Sequence, residues 1–168
     1  MTRGPEAGPR VGFWHPASLI ATWFGAGLVP KVPGTAGSLA ALPFAWLIQW
    51  AFGPVGLALA ALVLFVLGWW ASMIIVKESE EPDPGRIVVD EVAGQWLTLV
   101  IAPLDPVFYA LGFVLFRIAD IWKPWPVGAI DRRVKGGIGV MLDDLFAGIY
   151  AGAVLYLIVT IATTAKVL

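Results

Sequence analysis

Two pairs of adjacent carboxylates, Asp90-Glu91 and Asp143-Asp144, stand where the chain enters apolar stretches. An acidic first turn is favoured by the helix dipole, which accounts for one carboxylate better than for two. Successive helical residues point ~100° apart, so Asp90 and Glu91 face one spot only if one of them sits in the turn before the helix. A cation shared between that pair and a distant carboxylate would remove both the repulsion and the cost of desolvation. Asp143 and Asp144 can supply it, preceded by the flexible Gly136-Gly137-Ile138-Gly139. The chain has no Cys and one His, His15, so such a site has hard oxygen donors alone. That donor set points to Mg2+, Mn2+ or Ca2+ and away from zinc. The same two counts exclude disulfides, thiolate metal centres, a Cys nucleophile and any mechanism needing two His. Plain capping of two helices by acids is the rival reading.

Two further segments suit a phosphate. In Pro33-Gly34-Thr35-Ala36-Gly37-Ser38, read as a turn immediately before a membrane helix, Gly34 and Gly37 let backbone N–H groups converge and Thr35 and Ser38 add hydroxyls. A helix N-terminus behind them adds partial positive charge. An ordinary N-cap by Thr35 or Ser38 is the alternative. In Phe116-Arg117-Ile118-Ala119-Asp120-Ile121-Trp122-Lys123-Pro124-Trp125-Pro126, Arg117 and Asp120 share a helix face and Lys123 follows before Pro124 ends the helix. Arg117 offers a bidentate fork to phosphate and Lys123 a point charge. A snorkelling Arg117 paired with Asp120 beneath a belt of Trp122 and Trp125 would look the same. His15 stands before the first apolar stretch and is given no catalytic role.

The elements that must carry these residues follow from composition. Of 168 residues, 59% are hydrophobic and 14% charged, with a mean hydropathy of +0.83. Soluble domains sit nearer ~45–50% and ~25%, so the chain reads as an integral membrane protein. Val55–Val76 and Leu145–Ala165 are uncharged and long enough to span a bilayer. Ser38–Phe52, about 22 Å at 1.5 Å per residue, reads as a short or partly re-entrant span turning at Gly53-Pro54. Val92–Ala102 and Val107–Phe116 form a second hairpin about Pro103-Leu104-Asp105-Pro106, and Ala17–Leu28 an interfacial helix. The expected fold is an all-α compact bundle of about five membrane-embedded helices, one domain over 1–168 with an N-terminal tail over 1–16. No signal peptide is read at the N-terminus. Every basic residue except Lys166 falls opposite the hairpin tips, which makes that face cytoplasmic, with N-in and C-out topology. A net charge of −1 without a basic run argues against nucleic acid.

These motifs, with Ile87-Val88-Val89-Asp90-Glu91-Val92-Ala93-Gly94 and Gly136-Gly137-Ile138-Gly139-Val140-Met141-Leu142-Asp143-Asp144, resemble in order and spacing the bacterial phosphatidylglycerophosphatase A family. The resemblance covers roughly Trp14 to Tyr156. It implies a Mg2+-dependent lipid phosphatase of the bacterial inner membrane that turns phosphatidylglycerophosphate into phosphatidylglycerol on the cytoplasmic face. Its expected partners are the phospholipid substrate and the membrane. The expected catalytic set is Asp90, Glu91, Asp120, Asp143 and Asp144. Asp90, Glu91, Asp143 and Asp144 are the metal ligands, Asp120 orients Arg117, and Gly34, Thr35, Gly37, Ser38, Arg117 and Lys123 hold phosphate. One His excludes phosphatases that need separate nucleophile and acid-base histidines. No Asp-x-Asp nucleophile or Asp-x-x-Asp-Gly signature occurs, which leaves attack by metal-activated water. The alternative from another class is a small cation-coupled transporter, which would carry its acids at mid-span.

Overall fold

A chain in lipid must satisfy its own backbone hydrogen bonds, and uncharged runs broken by Pro and Gly do so as helices. The computed structural model describes residues 11–79, 84–134 and 136–165, and every regular element among them is helical. The start of the tail (1–10), Glu80, Glu81, Asp83, Lys135 and the C-terminal marker Lys166 lie outside the described residues. The helices are α1 (Pro16–Ala21), α2 (Pro33–Ser79), α3 (Val89–Leu99), α4 (Pro106–Trp122), α5 (Val127–Arg133) and α6 (Gly137–Ala165), with a 3-10 turn at Ala26–Leu28. Among the described residues, α2 and α6 are long and apolar enough to cross a membrane.

α2 breaks where Gly53-Pro54 predicts. Gly53 takes φ 69°, a region open to Gly at little cost. Gly37 from the first half and Gly68 from the second both press on the start of α3, at Val88 and Val89. The two halves therefore run back alongside each other. The five segments expected from the sequence correspond to 33–52, 54–79, α3, α4 and α6. α1 and α5 are short and lie at the end where α3 begins: Val88 N–H donates to Ala21 O at 2.8 Å, and α5 packs on α6.

α3 is the axis of the bundle, packed by α2, α4 and α6. Within a membrane the apolar surface drives helices together only weakly, so close backbone approach and buried polar bonds take over. A Cβ on Gly94 would lie 2.5 Å from Asp144 O, and one on Gly148 2.5 Å from Gly94 O. Thr98 Oγ1 donates to Gly148 O at 3.2 Å and Trp96 Nε1 to Ala41 O at 3.0 Å. At the opposite end, Gln49 Nε2 donates to Ala102 O at 2.8 Å and Tyr109 O–H donates to Gln49 Oε1, tying α2 to the α3–α4 hairpin. Leu47, Phe52, Leu62, Leu157 and Ile161 remain exposed on the outer faces, as a lipid-facing surface requires.

Several expected boundaries move. α2 starts at Pro33, so Gly34 to Ser38 form its first turns instead of a loop before it. The segment 33–52 is then about 30 Å long, enough for the hydrocarbon core. Likewise α6 starts at Gly137, which puts Asp143 and Asp144 two turns inside the helix instead of at its mouth. The glycines there allow contact: a Cβ on Gly137 would lie 2.6 Å from Met73 N. The single helix expected over Ala17–Leu28 is split by Trp23, Phe24 and Gly25, all with positive φ. His15 caps α1, its Nδ1 accepting from Ala17 N–H at 3.2 Å.

Candidate active site

α3 begins at Val89, so Asp90 and Glu91 occupy its first turn, where their charge complements the exposed N–H groups. α6 lies across from them, and one carboxylate oxygen each from Asp90, Glu91 and Asp144 falls within 4.8 Å of the others. Both members of the adjacent pair therefore reach one spot from helical positions, contrary to the sequence argument. The ~100° divergence applies to Cβ directions, and the extra methylene of Glu91 gives its carboxylate the reach to come back. Asp90 is 8% exposed and Asp144 3%.

The PGTAGS segment meets this cluster edge-on. Arg117 Nη1 lies 2.6 Å from Asp120 Oδ2 and 3.8 Å from Glu91 Oε1, and donates to Ser38 Oγ at 3.3 Å. Ser38 O–H in turn donates to Gly34 O at 2.9 Å. Asp120 also interacts with Asp144, so α2, α3, α4 and α6 each contribute to one network. Gly34 leaves room for it, since a Cβ there would overlap Glu91 Oε1. Gly37 faces Val88 instead and serves packing. Thr35 and Arg117 line one groove.

Asp143 and Lys123 are drawn into a second cluster. Lys123 Nζ lies 2.7 Å from Asp143 Oδ2 and 2.8 Å from Asp131 Oδ1. Partial burial alone would lower the Lys123 pKa, but hydrogen bonds and attraction from Asp131 and Asp143 outweigh it and raise it further. Lys123 is the left-handed residue closing α4, with φ 47°. Asp131 went unnoticed in the sequence because it sits on α5, whose existence no periodicity announced. Gln95 was missed as well. It lies one turn beyond Glu91, wholly buried, with neither amide atom hydrogen-bonded; a Gln inside an apolar helix was its signal.

Whether a divalent cation fits can be judged from these side chains. Asp90 Oδ1, Glu91 Oε2, Asp143 Oδ1 and Asp144 Oδ1 are buried with no hydrogen-bond partner. Arg117 meets Glu91 and Asp120, while Asp90 and Asp144 crowd against those same carboxylates. Buried excess negative charge is costly unless paired or bound to metal. Oxygen-only donors of this kind fit a hard cation such as Mg2+, with Asp90, Glu91 and Asp144 nearest to sharing it.

Comparison with known proteins bears on the identity of this site. The chain is 45% identical over 147 residues to phosphatidylglycerophosphatase A of Escherichia coli (strain K12), covering 86% of this chain and 83% of that protein. A Bacteroides thetaiotaomicron protein provisionally named phosphatidylinositol-3-phosphatase is 41% identical over 79% of this chain and 87% of its own. Phosphatidylglycerophosphatase A of Haemophilus influenzae is 33% identical over 89% and 92%. No solved structure gives a significant match. The sequence profile of one family spans residues 19–159, which include every side chain of both clusters. This membrane-associated helical bundle, with its carboxylates gathered at one end, belongs to the phosphatidylglycerophosphatase A family, a family of phosphatases.

Proposed function

We propose that the protein hydrolyses the terminal phosphate monoester of phosphatidylglycerophosphate, leaving phosphatidylglycerol and inorganic phosphate, with Mg2+ held by Asp90, Glu91 and Asp144. The observation that carries this reading is the convergence of those three carboxylates within 4.8 Å, with Arg117 beside them. A phosphate monoester would be repelled by bare carboxylates, so a cation in their midst reconciles the acid cluster with an anionic substrate. When bound, such a cation supplies charge neutralisation at the phosphate and acidifies water.

The chain's own groups do the positioning. Arg117 presents its guanidinium to the phosphate, held in orientation by Asp120 at 2.6 Å and by Ser38. Lys123 has three N–H donors; two are engaged by Asp131 and Asp143, leaving one for a phosphate oxygen. Asp143 on this reading orients Lys123 and is an outer member of the metal set. Thr35, which lines a groove together with Arg117, offers its hydroxyl to the diester side of the headgroup. Loss of one charge-assisted donor costs on the order of 1.5–3 kcal/mol. The distribution of basic residues supports a cytoplasmic orientation of this end in a bacterial inner membrane.

Purified protein in micelles, given phosphatidylglycerophosphate with Mg2+, with excess chelator, and with Mg2+ restored, tests the proposal. Phosphate release that stops with chelator and returns with Mg2+ is expected. No metal-dependent release from folded protein would overturn it. Release from phosphatidylinositol 3-phosphate but not from phosphatidylglycerophosphate would replace the substrate.

A further inference from the structure

The α4 helix carries a groove whose apolar wall the phosphate chemistry does not use. It has a volume of about 400 Å3 and is walled by Phe113, Val114, Ile118 and Ile121, with Thr35 and Arg117 on the same wall. Val114, Ile118 and Ile121 are exposed on a helix whose other side packs against α3 and α6. Arg117 belongs to both places: its Nη1 meets Glu91, Asp120 and Ser38, and its Nε is buried without a partner. The groove is therefore continuous with the acid cluster through one cationic side chain.

We propose that this groove seats the upper part of one acyl chain of an anionic phospholipid, with the lipid's phosphates lying towards Thr35 and Arg117. The proposal rests on the phosphatase reading and adds where the lipid lies and how it arrives. Drawing acyl chains into water is costly for every methylene exposed. A groove that opens on the lipid side and shares Arg117 with the carboxylates lets the substrate slide in from the bilayer. Its make-up matches that ligand: apolar along α4, with a cation and a hydroxyl where the headgroup begins. A second apolar groove, between Leu97, Val100, Ile149 and Ala153, has no charged residue on its wall and offers nothing to a headgroup.

The test uses a non-hydrolysable phosphonate analogue of phosphatidylglycerophosphate carrying a diazirine on one acyl chain, with Mg2+ present, so that the carboxylates are neutralised and binding is read without turnover. Photolabelling is expected to concentrate on 113–121 and to be competed by the same analogue without the diazirine but not by phosphatidylcholine. Ile118→Trp, which fills the groove, should reduce that labelling about tenfold, and Val114→Phe should act in the same direction. In turnover, Ile118→Trp should lower the ratio of kcat/KM for diacyl over deacylated substrate by a similar factor. Val107→Trp, exposed at the far end of α4, should keep the wild-type ratio. Labelling spread over lipid-facing positions such as Leu62 and Leu157, or unchanged by both groove variants, would overturn the proposal. So would crosslinking of this face to a second copy of the chain. Competed labelling at 113–121 in a protein that releases no phosphate would keep the groove and refute the phosphatase reading.

Discussion

Gly34→Ala places a single methyl group against the site without touching its chemistry. Gly34 is buried in the first turn of α2, and the added Cβ would overlap Glu91 Oε1, lying 3.0 Å from Glu91 Cδ and 3.1 Å from Arg117 Nη1. Unstrained contacts need ~3.5–4 Å, so the Glu91 carboxylate must retreat by roughly 1.5–2 Å at its nearer oxygen. Misplacement on that scale costs on the order of 100-fold in rate, or about 2.7 kcal/mol of transition-state stabilisation. Stability should move little, because Ala is favoured over Gly inside a helix by ~0.8–1 kcal/mol, which offsets the strain. Gly37→Ala is the counterpart. Its Cβ would lie 2.7 Å from Val88 Cβ, so it should cost ~1–3 kcal/mol of stability by overpacking, with a smaller change in Mg2+ requirement. The assay is kcat/KM and half-saturating Mg2+ on each purified variant, beside thermal unfolding in the same detergent. In a Glu91→Gln background, Gly34→Ala should add little, since both changes act on one group. Wild-type kcat/KM and Mg2+ requirement in folded Gly34→Ala would refute the claim that Glu91 must stand where Gly34 lets it.

Arg117→Lys keeps the charge but loses the planar guanidinium, whose Nη1 is held by Asp120 and Ser38 while its other N–H groups remain for phosphate, so kcat/KM should fall about ten- to 100-fold; wild-type kinetics would show that a point charge suffices. Lys123→Met removes the ammonium that Asp131 and Asp143 share. With the lysine side chain 29% exposed, the ~3–5 kcal/mol typical of a broken buried pair is reduced to roughly 1–3 kcal/mol, and an unchanged unfolding midpoint would contradict it. Cysteines placed in this Cys-free chain at Trp125 and Leu104, both exposed, should react with impermeant reagents from the cytoplasmic and the opposite side respectively. The reverse pattern would invert the orientation of the site.

The bundle was legible because lipid leaves a chain few options: uncharged runs had to be helices, and Gly53-Pro54 and Asp105-Pro106 had to interrupt them. The helix starts were harder. Pro33 is well suited to a first turn, yet glycines at 34, 37, 136, 137 and 139 imitate loops in a sequence. In the fold, Gly34, Gly37, Gly137 and Gly139 are where another group comes within a Cβ's reach. That need depends on the partner, which one strand of sequence does not reveal. The carboxylates were legible by type, and the Arg117–Asp120 pair by its spacing. Long-range choices were not: Lys123 could be assigned to phosphate from the sequence, but its pairing with Asp131 and Asp143 depends on the turn into α5. Gln95 stood out only as an amide inside an apolar helix, and a single such residue does not say which other helix it faces.

The most direct test of the central claim is divalent-cation binding itself, read by the electron paramagnetic resonance of Mn2+ titrated into purified protein in detergent, without substrate. The wild type should hold Mn2+ in a form that Mg2+ displaces. Asp90→Asn and Asp144→Asn, each removing one of the three oxygens that lie within 4.8 Å, should weaken binding about 10- to 100-fold, the scale on which mutations around metal sites act. Asp143→Asn, whose carboxylate is paired with Lys123, should weaken it less than either. Wild-type affinity in both the Asp90→Asn and Asp144→Asn variants, in protein with an unaltered unfolding midpoint, would contradict the account and return these acids to the capping of α3 and the packing of α6.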